Sequence, residues 1–259
     1  MPEGDTVHRT ARRLDRALSG AVLTRTDFRV PALATTDLSG SEVLRTVARG
    51  KHLLTRISGD PAWTLHTHLK MEGSWRLYPT GQRWNRPAHQ ARVVLETARQ
   101  QAVGFSLGIV ELVPTSQEDE VVGHLGPDLL GPDWDEDEAL RRLREDPQRP
   151  LAEALLDQTR LAGIGNMYAS ELCFLSGAHP TTPVGQVVDL PRLVRRARQM
   201  LEQNVRRPTP ATTGNLREPF WVYRRDRAAC RRCGTPIEVA MLGLPGRERA
   251  SYWCPSCQA

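Results

Sequence analysis

Four cysteines near the end of the chain, Cys230, Cys233, Cys254 and Cys257, follow the spacing C-x2-C-x20-C-x2-C. Each Cys-x-x-Cys pair requires a tight turn, and the two turns must meet so that four thiolates converge tetrahedrally on one ion. The pattern predicts one structural Zn2+ carried by a short zinc-finger hairpin. Four protein ligands leave no open coordination position, so the metal holds shape and performs no chemistry. Its binding can contribute on the order of 10 kcal/mol to local folding. The fifth cysteine, Cys173, falls on the apolar side of a predicted helix and reads as core.

The opposite end begins Met1-Pro2-Glu3-Gly4. A small second residue permits removal of Met1, which would expose the imino nitrogen of Pro2. That secondary amine can attack an aldehyde-like carbon and form an iminium, with Glu3 one residue away as a proton donor. The same residues also suit an ordinary frayed terminus.

At 259 residues the chain is long enough for a core in each of about two domains. Val7, Ala11, Leu14 and Leu18 recur at helical spacing, and Gly20 stops the run. From Ala21 to about Pro114 short β-rich stretches follow: AVLTRTDF, HLLTRI, WTLHTHL, ARVVLET, QAVGFS and IVELV. Strands at such spacing predict a sandwich or barrel-like domain. The Gly-, Pro- and Asp-rich segment from Leu125 reads as a linker into a helix over Asp135 to Arg144. Beyond it come a helix, a GIGN turn, a helix over MYASELCFLS, and a helix from about Pro191 to Val205 capped by Asp189. The expected division is 1–130, 131–216 and 217–259. With no apolar run near 18 residues and no signal-peptide pattern, the expectation is a cytoplasmic protein without membrane contact.

A net charge of +5 and a pI near 9.2 favour a polyanionic partner. Only two lysines occur, Lys51 and Lys70, against 33 arginines. Their proximity in sequence suits a place where a compact, titratable ammonium is wanted. Gly50 ends one strand and Lys51 opens the next, which suits a turn beside a cleft and equally a solvated hairpin lysine. Met71, between Lys70 and Glu72, sits at a loop tip, where an unbranched thioether can wedge between base pairs or fill core. The GIGN turn offers backbone N–H groups and the Asn166 amide to a phosphate, and its glycines equally serve a tight helix–helix turn. Arg231, Arg232, Arg247 and Arg249 offset the charge of a four-thiolate centre. Arg249 lies in GLPGRERA, the expected hairpin tip, where groove contact and charge balance are equal readings. His66 and His68 share a strand face, but no third metal ligand is evident in the sequence.

Taken in order, PEG, GKHLL, THLKMEGSWRL, GIGNMYASELCF, CRRCGTPI and YWCPSCQ resemble the formamidopyrimidine-DNA glycosylase and endonuclease VIII family, across essentially the whole chain. The resemblance implies an α+β multidomain fold: an N-terminal β-sandwich with a leading helix, a helix-two-turn-helix domain and a C-terminal zinc-finger hairpin, with DNA held between domains. It implies a bifunctional glycosylase and AP lyase of base excision repair, acting as a monomer on damaged, double-stranded DNA. Pro2 would be the Schiff-base nucleophile at the sugar C1′, Glu3 the acid that assists ring opening, and Lys51 a phosphate contact that supports elimination. Lys70, Met71 and Glu72 occupy the place that fills the gap left by an extruded base. Asn166 and Arg249 match phosphate and zinc-hairpin contacts.

Departures from the family pattern lie at Asp5, at Arg224 to Ala229 and beside Met71, all positions bearing on lesion choice. PEG, THLKMEGSWRL and YWCPSCQ are more similar to the endonuclease VIII branch, which favours oxidised pyrimidines. Two alternatives stand beside this reading: the same chemistry on oxidised purines, and a non-catalytic zinc-finger protein that binds bent or damaged DNA.

Overall fold

The computed structural model describes residues 2–243, 245–246 and 248–258. Met1 and Arg247, both of which figure in the sequence reading, lie outside them. The chain divides into two compact units, one made of residues 1–2 and 6–124, the other of residues 3–5 and 125–259.

In the first unit, helix α1 (Gly4–Leu18) leads into eight strands. These are β1 (Leu23–Phe28), β2 (Val43–Arg49), β3 (His52–Ile57), β4 (Trp63–His68), β5 (Ser74–Pro79), β6 (Ala91–Thr97), β7 (Gln100–Phe105) and β8 (Ile109–Pro114). They form two four-stranded antiparallel sheets, ordered β1-β6-β7-β5 and β2-β3-β4-β8. The expected leading helix and sandwich are therefore present. Alternation decides the core: Leu53, Ile57 and Leu65 from one sheet share it with Leu23, Val93, Leu95 and Ala102 from the other. The i, i+4, i+7, i+11 stripe of α1, Val7, Ala11, Leu14 and Leu18, packs into the same cluster. Burying the valine, leucine and isoleucine side chains among these stabilises by about 1.5–3 kcal/mol each. The connection Leu69–Gly73 carries the chain from one sheet to the other. Gly73 is required there, because a Cβ would stand 2.4 Å from the carbonyl oxygen of Leu69. A short helix, α2 (Glu118–Val122), follows β8. Glu118 accepts two hydrogen bonds from Arg56, at 2.7 Å each, and one from Thr64.

The second unit is helical and then hairpin. Its helices are α3 (Glu136–Arg144), α4 (Leu151–Leu156), α5 (Asn166–Ser176) and α6 (Leu190–Val205). Asp135 caps α3 by accepting from Glu138 N, and Asp189 caps α6 by accepting from Arg192 N. Two turns between α4 and α5 make the helix-two-turn-helix. Helix α5 is apolar nearly all round and is the central element of this core, with Met167, Tyr168, Leu172 and Cys173 buried against Leu155, Leu193, Val194 and Leu201. Burial holds the Cys173 thiol up at about 12, as expected of a core cysteine. Strands β9 (Glu238–Leu242) and β10 (Arg249–Trp253) form the C-terminal hairpin. Among the described residues no helix is long and apolar enough to cross a membrane.

Candidate functional site

The turn before α5 is built around a carboxylate from the start of the chain. Glu3 is 3% exposed. Its Oε2 accepts from Gly165 N at 2.7 Å and from Tyr168 N at 3.4 Å, and its Oε1 accepts from Met167 N at 2.8 Å. These are the N-terminal amides of α5, which otherwise lack intrahelical partners, at the positive end of the helix dipole. Gly4 N donates to Gly163 O at 2.9 Å. The glycines follow from these contacts. A Cβ on Gly165 would stand 2.5 Å from Glu3 Cδ, a Cβ on Gly4 would stand 3.0 Å from Gly163 Cα, and Gly163 itself has φ +108°. The sequence offered a phosphate cradle or a tight turn for GIGN; here the turn also serves as the seat of Glu3.

Asn166 does not sit free beside that turn. Its Nδ2 donates to Ala250 O at 2.8 Å, which ties the start of α5 to β10. Arg249, the neighbour of Ala250, is the first residue of β10 and pairs with Leu242, so it lies in the strand and not at the hairpin tip expected from GLPGRERA. Strand pairing continues to that residue because Leu242 and Arg249 remain in antiparallel register.

Sequence reasoning passed over two residues here. Glu171, wholly buried in α5, accepts from Trp221, Val222 and Tyr223 backbone amides at 2.8–2.9 Å and from the Thr212 hydroxyl, fixing the segment that leads to the cysteines. Burial nevertheless pushes its carboxyl above the usual range. Tyr223 is half-buried, and its phenol is raised by burial, lowered by Arg224 and raised again by the charge of Glu3. The aromatic cluster Phe220, Trp221 and Tyr223 ahead of the cysteines was the available signal.

The four cysteine sulfurs lie within 4.8 Å of one another, with Cys233–Cys254 at 3.4 Å, Cys233–Cys257 at 3.5 Å and Cys230–Cys257 at 4.0 Å. A tetrahedral ion with metal–sulfur bonds of about 2.3 Å sets sulfurs roughly 3.8 Å apart, so the cluster fits such an ion. Cys230 and Cys254 pack with Phe174, Val222 and Ile237. Gln258 locks the second turn by accepting from Cys254 N and donating to Ala178 O.

In the first unit Lys51 is 9% exposed, at the turn between β2 and β3 where Gly50 has φ +57°. Met71 is 65% exposed at its loop tip, flanked by exposed Lys70 and Glu72, so it does not fill core. Lys70 adopts φ +51°, and its N–H donates to His68 Nδ1 at 2.9 Å. Burial first, then the charges of Lys70 and Lys51, pushes His68 down to about 4. Lys70 and His68 thus meet at the base of this loop.

Residues 1–106 match the formamidopyrimidine-DNA glycosylase N-terminal domain, and residues 125–213 match the formamidopyrimidine-DNA glycosylase H2TH domain. The chain is 55% identical over 262 residues to "Probable endonuclease 8 2" of Streptomyces coelicolor, covering 100% of this chain and 94% of that protein. It is 50% identical over 260 residues to "DNA-(apurinic or apyrimidinic site) lyase Nei2" of Mycolicibacterium smegmatis, covering 100% and 99%. In fold it is similar to Lactococcus lactis Fpg (MutM), crystallised with DNA containing an oxidised pyrimidine, at a TM-score of 0.82 and 24% identity over 99% of each chain. With both domain models matched in order and such identity over its whole length, the chain belongs to the formamidopyrimidine-DNA glycosylase and endonuclease VIII family.

Proposed function

We propose that this protein is a bifunctional DNA glycosylase and AP lyase of base excision repair, with Pro2 as nucleophile and oxidised pyrimidines as its favoured lesions. The observation that carries the reading is the seating of Glu3 on the amides of α5, which fixes the residue next to Pro2 at the start of a buried helix. The endonuclease 8 and AP lyase names of the 50–55% identical relatives support the activity and the branch.

A damaged base is unreachable inside a duplex, so the nucleotide is flipped out and the exposed Met71, with Lys70 and Glu72, enters the gap. Removal of Met1 leaves the Pro2 imino group, whose class has a pKa of about 7.7–8 and must be neutral to attack. Three backbone N–H bonds favour Glu3 as a carboxylate. In that state it accepts the proton of the Pro2 ammonium, and then serves as the acid that assists sugar ring opening. The Pro2 nitrogen bonds to C1′, the N-glycosidic bond breaks, and the base leaves with the bonding pair. The resulting iminium acidifies C2′; loss of that proton expels the 3′ phosphate, and a second elimination expels the 5′ phosphate. Lys51, Asn166 and Arg249 hold phosphates.

Zinc, held by Cys230, Cys233, Cys254 and Cys257, would supply structure alone. The same reading divides the chain into 1–130, 131–216 and 217–259 and places a monomer in the bacterial cytosol. It is tested with duplexes carrying defined oxidised pyrimidines or purines, with and without borohydride. The expected result is faster excision of pyrimidines and a covalent adduct trapped by reduction. Excision without any trapped adduct would overturn the nucleophile, and faster purine excision would overturn the branch.

A further inference from the structure

The loop that carries Met71 is held in one shape from several sides. Its first residue, Leu69, is buried in the sandwich core, and its last, Gly73, donates its N–H to Leu69 O at 2.9 Å, closing a turn over Lys70, Met71 and Glu72. Between them Lys70 has φ +51°, a left-handed conformation that is costly for a residue with a Cβ. A lysine there needs a compensating contact. His68 supplies it, its Nδ1 accepting from Lys70 N at 2.9 Å. This is the bond to the residue two ahead that asparagine and aspartate make in an Asx turn, made here by an imidazole. Gly108 lies against the same lysine. Its N–H donates to His68 O at 3.0 Å, and a Cβ there would stand 2.2 Å from Lys70 Cγ and 2.9 Å from Lys70 Cβ.

The imidazole is itself fixed. His68 is the last residue of β4, opposite His52 on β3 and Ile109 on β8, and the His52 ring meets it edge-on with centroids 4.9 Å apart. That second ring is held in turn: His52 Nδ1 lies 2.8 Å from His66 Nε2, and His66 Nδ1 lies 3.1 Å from Glu111 Oε2. Only a neutral imidazole keeps the Nδ1 lone pair that the Lys70 N–H needs. Burial first, then the charges of Lys70 and Lys51, keeps His68 neutral down to about 4, so the contact persists near neutral pH.

We propose that His68 is a positioning residue for the wedge: by pinning Lys70 in its left-handed turn it presents Met71 already ordered at the loop tip, which favours action on duplex over single-stranded DNA. The inference deepens, and rests on, the reading of Met71 as the side chain that enters the gap. Insertion between stacked bases must offset their unstacking, and a loop that ordered only on contact would lose conformational freedom at the same moment. A preformed turn removes that second cost. A single strand offers no paired stack to open, so there the contact makes no difference.

The test compares His68→Leu, which removes the acceptor, with His68→Asn, whose Oδ1 accepts from the residue two ahead. Single-turnover excision of an oxidised pyrimidine from a duplex should slow about fivefold in His68→Leu and return close to the wild-type rate in His68→Asn. Excision from a single strand should match wild type in both. Gly108→Ala reaches the same turn without touching His68, since its Cβ meets Lys70 Cβ, which moves only with the backbone; it should show the same duplex-only loss. Added to Met71→Ala, His68→Leu should cost nothing further. A wild-type duplex rate in His68→Leu would overturn the proposal. So would equal losses on both substrates, no recovery with asparagine, or a further loss on top of Met71→Ala, each of which marks a role other than holding Met71. If Met71→Ala alone excises from duplex at the wild-type rate, the wedge reading itself fails and this inference falls with it.

Discussion

Replacing Gly165 with alanine isolates the role of the Glu3 seat. The residue has φ −122° and ψ −166°, extended backbone that alanine adopts without strain, so the effect is purely steric. The new Cβ would stand 2.5 Å from Glu3 Cδ and 2.7 Å from Cγ and Oε1, where ordinary contacts begin near 3.4 Å. The carboxyl must therefore retreat by about 1 Å, which breaks or stretches its bonds to Gly165 N and Met167 N. Hydrogen bonds to a charged group are worth about 1.5–3 kcal/mol each, so weakening two costs about 3 kcal/mol. That corresponds to a melting temperature lower by roughly 6–12 °C for a unit of this size. A misplacement of this kind costs catalysis about 100-fold. The assay is single-turnover excision of an oxidised pyrimidine from a duplex, with thermal unfolding in parallel. A Gly165→Ala protein that excises at the wild-type rate and melts at the wild-type temperature would refute the argument that Glu3 acts from this seat.

Met71→Ala should change stability by less than about 0.5 kcal/mol, because the side chain is mostly exposed. Its excision from duplex should nevertheless fall about tenfold, with excision from a single strand spared; equal losses on both would remove the wedge role. Chelation of the metal, or Cys254→Ser, should lower DNA affinity and melt the hairpin, read by filter binding and by protease cleavage near Val222; tight binding with zinc absent would contradict the structural role. Acid should also destabilise the first unit. His52 and His68 titrate at about 3 and about 4, below their usual 6.5, so the unfolded chain takes up protons that the folded chain refuses. Stability should be level above about pH 7 and fall as pH drops from about 6.5 toward 4. Urea midpoints at pH 7 and pH 5 should differ less in His52→Gln than in the parent, and an equal difference would contradict the assignment.

Local signals carried far in this chain. The Asp189 cap with a following proline marked the start of α6, and the spacing of Val7, Ala11, Leu14 and Leu18 marked the buried stripe of α1. The cysteine spacing anticipated the convergence of four sulfurs. What the sequence hid depends on register and on long-range contact. Strand β5, SWRLYP, was not expected, because its charged and bulky residues follow directly on a loop; pairing with β7 decides it. His66 and His68 were seen without companions, since only the pairing of β3, β4 and β8 brings His52 and Glu111 to the same face. The bond from Gly165 to Glu3 spans 162 residues and leaves no periodic trace. It also changes the expectation for Glu3: a carboxyl expected as a proton donor rests on three amides that favour its ionised form.

The central claim is a covalent bond from the Pro2 nitrogen to deoxyribose, and mapping the reduced adduct tests it most directly. Wild-type protein is treated with abasic duplex and borohydride, digested, and the DNA-bearing peptide sequenced by mass spectrometry. The account predicts a peptide that begins at Pro2, with Met1 gone and the sugar on the proline nitrogen. An adduct on Lys51 or Lys70, or fully active protein that retains Met1, would contradict it.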